Sequence, residues 1–292
     1  MSRPDEPARP DLYARITDTI IAQLAARVRP WTQPWVSSAA VSRPLRHNGE
    51  PYSGINVLLL WSEAMKRGFQ ASIWMTFRQA LALGGHVRRG ERGATVVYAN
   101  VLALAEAGEG DVEEVRRIPF LKAYTVFNVE QIDGLSDGYA APPASAINPE
   151  GRIAGAEAWF AGLGVDVRHG GGSAYYVPST DHVQMPPFER FLDAAGYYAT
   201  LGHECVHWTG HASWLDRDFG RATEAYAREE LVAELGAAFL CADLGLALES
   251  REDHADYLGG WLSVLRGDKR FIVSAASQAQ RAVAFLQEGA TG

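Results

Sequence analysis

The chain's 292 residues suffice for two domains, and 47% apolar against 21% charged residues suit a globular protein that buries a real core. No apolar run approaches the roughly 18 residues of a membrane span. The N-terminus MSRPDEPARPDLYARI lacks the order of a secretory signal, and two cysteines, Cys205 and Cys241, imply no disulfide framework, so a cytoplasmic protein is expected. The net charge of −8 is uneven: residues 1–135 hold 16 Lys+Arg against 14 Asp+Glu, and residues 136–292 hold 11 against 21. Halves of opposite sign suggest two jobs, and a basic half makes nucleic acid a candidate partner. Five of the first half's acids lie in 105–117, AEAGEGDVEEVRR, which reads as a solvated hairpin tip or loop.

In chain order, Leu12, Ile16, Ile20, Leu24 and Val28 recur at a spacing of four and predict an amphipathic helix ended by Pro30. WTQPWVSS follows as an extended, Trp-rich segment. SGINVLLLWSEAMKRGF predicts a second helix closed at Gly68, and TFRQALALGG a third that stops at Gly84-Gly85. ATVVYANVLAL and IPFLKAYTVFNVEQI are rich in Val, Tyr and Phe and predict strands. SDGYAAPPASAINPE, residues 136–150, combines three prolines with small and polar residues and suits a linker. It divides the chain into a domain over 1–135 and a second over 151–292. The second opens with a helix over GRIAGAEAWFAGL, then a glycine turn and the strand-like AYYVPSTDHVQMP. Two long helical patterns and a helical tail complete it. The fold class is α+β in two domains.

The stretch GHECVHWTGH places His203, Glu204 and His207 in the order His-Glu-x-x-His. On a helix, residues four apart share a face, so both imidazoles can point at one ion. Two neutral imidazoles suit zinc, with manganese as the alternative. Glu204 lies beside that ion rather than on it, where a carboxylate can act as a base toward water. A second helix, REELVAEL, brings Glu229, Glu230 and Glu234. Two-His-one-Glu sites take their third ligand from such a helix, and Glu230 lies 23 residues after His207. Glu230 and Glu234 share a face, so one can bind metal while the other orients a histidine; Glu229 can replace Glu230 after a modest rotation. The choice stays open among the three. Gly236, Ala237 and Ala238 would let the two helices approach closely, and Gly210 offers a C-cap to the first. Tyr176 and Tyr197 are candidate oxyanion donors, and His182 is a substrate-side or structural residue. Cys205 and Cys241 read as small buried residues.

In the first half, Trp31, Trp35, Tyr52 and Trp74 are interleaved with Arg46, Asn48, Arg78, Gln79, Arg88, Arg89 and Arg92. Aromatic faces that stack bases, with cations that follow phosphates, are what a single-stranded nucleic-acid site needs. Trp61 continues the apolar run VLLL and belongs to the core.

RPWTQPW, GEPYSGINVLLLW and ASIWMTFRQALALGGHVRRGERGATVVY resemble the N-terminal single-stranded-DNA-binding domain of ArdC-type antirestriction proteins. STDHVQMP, YYATLGHECVHWTGH and YAREELVAELGAAFL resemble the zincin-like metallopeptidase domain that follows it in that family, in matching order over about 45–290. The resemblance implies a protein of conjugative plasmids and other mobile elements that shields incoming DNA from host restriction enzymes. It implies His203 and His207 as ligands, Glu204 as catalytic base and a third ligand among Glu229, Glu230 and Glu234. Single-stranded DNA is then the partner of the first domain, and a protein, restriction machinery among the candidates, the substrate of the second. Two other readings are a DNA shield whose metal is structural and a metalloprotease without a DNA role.

Overall fold

The computed structural model describes residues 11–31, 42–107, 113–139, 153–217, 219, 223–246 and 255–290, with backbone alone for 99–107, 113–120, 223 and 255–257. Helix α1 (Leu12–Ala25) opens on Asp11, whose carboxylate accepts from the Tyr13 amide at 3.0 Å. It buries Ile16, Ile20 and Leu24, the predicted stripe, but ends before Val28 because Arg27 turns left-handed at φ 58°. Strand β1 (Leu45–Arg46) leads into α2 (Ile55–Arg67), which Gly68 closes at φ 74°, a conformation that favours glycine. Strand β2 (Ile73–Met75) precedes the short α3 (Phe77–Ala82), begun by a reciprocal capping box between Thr76 and Gln79.

Strands β3 (His86–Val87), β4 (Ala94–Ala107), β5 (Glu113–Asn128) and β6 (Ile132–Asp133) follow. The long pair β4 and β5 is antiparallel from Ala94↔Val126 to Ala107↔Glu113. Residues 108–112, the centre of the acidic segment, lie outside the described residues, as do Trp35 and 140–150 of the expected linker. The main sheet runs β1-β2-β5-β4, with β1 and β2 parallel, while β3 and β6 form a separate ribbon.

The second half comprises α4 (Ala154–Gly162), β7 (Asp166–His169), β8 (Tyr175–Val177), β9 (His182–Met185), α5 (Ala194–Trp208), α6 (Thr223–Leu244), α7 (Ala255–Gly267) and α8 (Phe271–Ala290). AYYVPSTDHVQMP is not one strand. Pro178 has no amide to pair and Asp181 sits at φ 48°, so the segment folds into the antiparallel pair β8–β9, with β7 parallel to β9. The helical tail is likewise two helices. Asp268 breaks it: its carboxylate accepts from the Arg270 amide at 2.9 Å and its carbonyl from the Phe271 amide at 3.2 Å.

The described core is continuous across the expected linker. One apolar cluster joins Ile16, Trp31, Trp61 and Val97 to Phe239, Trp261 and Leu286. Trp31 meets Trp261 edge-on at 5.9 Å. Thr17 donates to the Lys269 carbonyl at 2.5 Å, and Lys269 pairs with Asp18 at 2.6 Å, so α1 is seated on the C-terminal helices. Arg43 reaches across too, gripping Asp243 through Nε at 2.8 Å and Nη2 at 3.0 Å and donating to Gln280 at 2.8 Å. Among the described residues no helix is long and apolar enough to cross a membrane.

Candidate metal centre and nucleic-acid face

Helix α5 starts where the Asp193 carboxylate accepts from the Gly196 amide at 2.6 Å. It is buried on all sides from Tyr197 to Trp208, so its polar residues must find partners inside the protein. Those partners come from α6, which approaches closely because Gly236 has no side chain. A Cβ there would fall 2.7 Å from a Val206 methyl. Gly210 serves in the same way rather than as the helix cap, which is Thr209: a Cβ on Gly210 would meet the Phe219 ring at 2.6 Å.

His203, Glu204, His207, Glu229, Glu230 and Glu234 are all buried. The Nε2 atoms of His203 and His207 face each other at 3.1 Å. Glu230 places one oxygen 3.5 Å from His203 Nε2 and the other 3.5 Å from His207 Nε2. Donors about 2.1 Å from one tetrahedral ion lie about 3.4 Å apart. Two imidazole nitrogens and a carboxylate oxygen, all within 4.8 Å of one another, therefore fit a divalent cation.

Behind these atoms stands a second row of carboxylates. His207 Nδ1 donates to Glu229 Oε1 at 3.1 Å. Glu234 Oε1 stands 3.5 Å from His203 Nδ1, close enough for an ion pair but without hydrogen-bond geometry, and that buried nitrogen makes no hydrogen bond. Glu229 in turn takes two bonds from Arg217, Nη2 to Oε1 at 2.8 Å and Nε to Oε2 at 3.0 Å.

The charges are strongly coupled. Burial by itself would push the Glu230 carboxyl up, but hydrogen bonds from His203 and His207 outweigh it and hold Glu230 well below the usual carboxylate range. For His207 burial acts downward, and the bonds to Glu229 and Glu230 with the charge of Glu204 reverse it, lifting its pKa to about 10. The carboxylates around His207 thus favour its protonated form in the absence of metal. The thiols Cys205 and Cys241 are buried, which pushes both up, Cys241 to about 12; they are packing residues, as expected.

The substrate-side candidates are spread out. Tyr176 approaches the centre through Phe219, 6.0 Å from its ring and 6.4 Å from that of His207, but donates its hydroxyl to Asp181 at 2.8 Å. Tyr197 is buried and bonded to His169 Nε2 at 2.8 Å, and His182 Nδ1 is bonded to Thr180 Oγ1 at 2.7 Å. Arg217, which the motif reading missed, is buried beside the cluster and bonded to it through Glu229. Its only signal was an arginine in the short connection between the two helices.

The first half corrects several expectations. Trp31 and Trp74 are 2% and 1% exposed and Tyr52 is buried, so none has a free face for a base; each fills the core instead. Gln79 spends its side-chain oxygen on the Thr76 amide at 2.8 Å, and Asn48 accepts from the Glu50 amide at 3.2 Å within a turn. Arg46 is exposed, paired with Glu50 at 3.3 Å and lying over the Tyr52 ring. Arg88 pairs with Glu91 at 3.0 Å and Asp133 at 3.5 Å, while Arg78, Arg89 and Arg92 are exposed. Among the described residues of this half the exposed aromatics are others: Phe77 at 50%, Tyr98 at 52% and Tyr124 at 41%. Lys122, opposite Tyr98 in the hairpin, lies over the Tyr124 ring at 5.2 Å. The alternation in VVYAN and KAYTV was the signal for the two tyrosines.

A helix-borne His-Glu-x-x-His, faced by a glutamate helix and flanked by a small mixed sheet, defines a zincin-like metallopeptidase fold, and the family model for zincin-like metallopeptidases matches residues 154–278. The model for the N-terminal domain of anti-restriction factor ArdC matches residues 10–127. The crystal structure of the metal-free antirestriction ArdC protein from plasmid R388 is 44% identical, superposes with a TM-score of 0.84 and covers 96% of this chain and 98% of that one. Its Mn(II)-bound form superposes at 0.80, covering 97% and 99%. The chain belongs to the ArdC antirestriction family. An uncharacterized protein of Sinorhizobium fredii, y4eC, is 46% identical over 93% of this chain and 90% of its own length. A DNA primase TraC of Escherichia coli is 36% identical over 94% of this chain, which spans 27% of that primase. A divalent metal is supported by the fold, the donor set and the Mn(II)-bound relative.

Proposed function

We propose that this is a cytoplasmic antirestriction protein of a mobile element that binds single-stranded DNA through its first half and hydrolyses an amide bond at a zinc site in its second, with manganese as the alternative ion. The observation that carries the second part is the spacing of His203 Nε2, His207 Nε2 and the Glu230 carboxylate, 3.1 to 3.5 Å apart. His203, His207 and Glu230 would hold the ion; bound there, it supplies Lewis acidity toward a carbonyl and toward water. Glu204 is the general base that takes the water's proton and passes it to the leaving amine. Glu229 keeps the His207 Nδ1 proton in place, which leaves Nε2 free to ligate, and Glu234 lies 3.5 Å from His203 Nδ1 without that bond.

For DNA, Tyr98, Tyr124 and Phe77 supply exposed faces for bases, and Lys122, Arg78, Arg89 and Arg92 supply cations for phosphates. The matched N-terminal ArdC domain and the similarity to a DNA primase support this part. A second reading, protection by occupancy with the metal bracing the fold, draws on the burial of every ligand candidate. Plasmid transfer into a restricting host, with wild type against Glu204→Gln at matched expression, separates the two. Loss of protection in a variant that still folds and binds single strands supports hydrolysis. Full protection assigns the task to binding and makes the chemistry dispensable for it.

A further inference from the structure

After α5 the described residues 209–217 fold back on the end of that helix. Leu215 donates its amide to the Thr209 carbonyl at 3.0 Å, Arg217 its amide to the Gly210 carbonyl at 2.9 Å, and Asp216 turns left-handed between them at φ 47°. These bonds drive the Arg217 side chain inward until it is buried, against Gly210, where a Cβ would stand 2.9 Å from Nη2. Every nitrogen of the guanidinium then has an acceptor: Nε and Nη2 on the two oxygens of Glu229, Nη1 on Thr209 Oγ1 at 2.8 Å, and Nη2 also on the Val206 carbonyl at 2.5 Å.

We infer that Arg217 is a positioning residue of the metal centre, acting through Glu229 to hold the His207 ring with Nε2 turned toward the ion. A fork-to-carboxylate pair fixes the plane of both partners, which a lysine ammonium does not. With the Glu229 plane fixed, its Oε1 fixes the His207 ring through Nδ1. The same arginine ties Val206 and Thr209, the residues on either side of His207 and Trp208, so ring and backbone are set by one group. Its charge also offsets a buried carboxylate that would otherwise add to Glu204 and Glu230 around the ion. The inference rests on the proposed reading that His203, His207 and Glu230 bind metal.

The test is Mn(II) and Zn(II) affinity by titration calorimetry on the full-length protein, for wild type, Arg217→Met, Arg217→Lys, Glu229→Gln and the Arg217→Met/Glu229→Gln double variant. Arg217→Met is expected to weaken binding about 10–100-fold, the range for a partner that orients a ligand, and Arg217→Lys to fall in between. If Arg217 acts through Glu229, the double variant binds no more weakly than Glu229→Gln alone. A capping role at the end of α5 would make the two losses additive, and additivity overturns the inference, as does a folded Arg217→Met with wild-type affinity. Should Arg217→Met fail to fold, Arg217→Lys with its own Glu229→Gln double variant gives the same cycle. Wild type and His203→Ala binding metal equally would overturn the metal reading itself, not the role of Arg217 alone.

Discussion

The α5–α6 pair and the N-terminal sheet handle charge and aromatic rings in opposite ways. In the helix pair, two histidines and four glutamates are buried around one another, and the residues that looked polar in sequence are the interior. In the N-terminal half Trp31 and Trp74, which looked like part of a binding face, are interior, and among the described residues the exposed aromatics are two tyrosines and a phenylalanine that composition did not single out. The difference teaches that a fixed spacing on one helix carries its geometry with it, whereas interleaved aromatics and arginines acquire a geometry only when the sheet decides which of them face out.

Substitutions in each region test this contrast. Trp74→Ala should destabilise the protein by about 3–5 kcal/mol, because the ring is fully buried against Phe69. Thermal or denaturant unfolding that is unaltered would return Trp74 to the surface. Arg43→Ala should cost about 2 kcal/mol through the lost bonds to Asp243 and Gln280, since the buried guanidinium joins the two halves. A drop below about 1 kcal/mol would mean that the halves are held by apolar contact alone.

Tyr98→Ala with Tyr124→Ala should weaken single-strand binding by about 1–3 kcal/mol for each base lost from a stack, with melting temperature unaffected. The reverse pattern, lower stability and unaltered binding, would erase the contrast between the two regions. Arg89→Ala and Arg92→Ala should each weaken binding at low salt across all sequences and flatten the salt slope by about 0.7. Arg88→Ala should do less, its charge already being shared with Glu91 and Asp133. Equal effects from all three would show that DNA displaces those carboxylates.

The helix pair makes a pH prediction of its own. His207 is raised to about 10 in the metal-free protein, so an ion must displace a proton to bind. Mn(II) affinity should then fall about tenfold, about 1.4 kcal/mol, for each pH unit between about pH 8 and 6. A flat profile would mean that His207 is already neutral there. The same shift stabilises the metal-free fold fully below the ordinary histidine value of 6.5, and that contribution is lost as pH rises through about 10. Glu230, held low, stabilises above its ordinary 4.5 and loses this on acidification.

Local signals determined much of the protein. The stripe of α1, Gly68 at the end of α2, the strands of the long hairpin and the His-Glu-x-x-His spacing were legible because each depends on residues within a few positions of one another. The tertiary structure alone decided which of three glutamates stands between the two Nε2 atoms. It depends on the rotation of α6 against α5, which Gly236 under Val206 permits and no spacing encodes. It also decided that Trp31 and Trp74 are core, that α1 belongs with the C-terminal helices, and that Arg217 turns in beneath His207. Each of these is a contact between segments far apart in the chain or a fold-back set by backbone bonds, and burial of that kind is a property of the assembled whole.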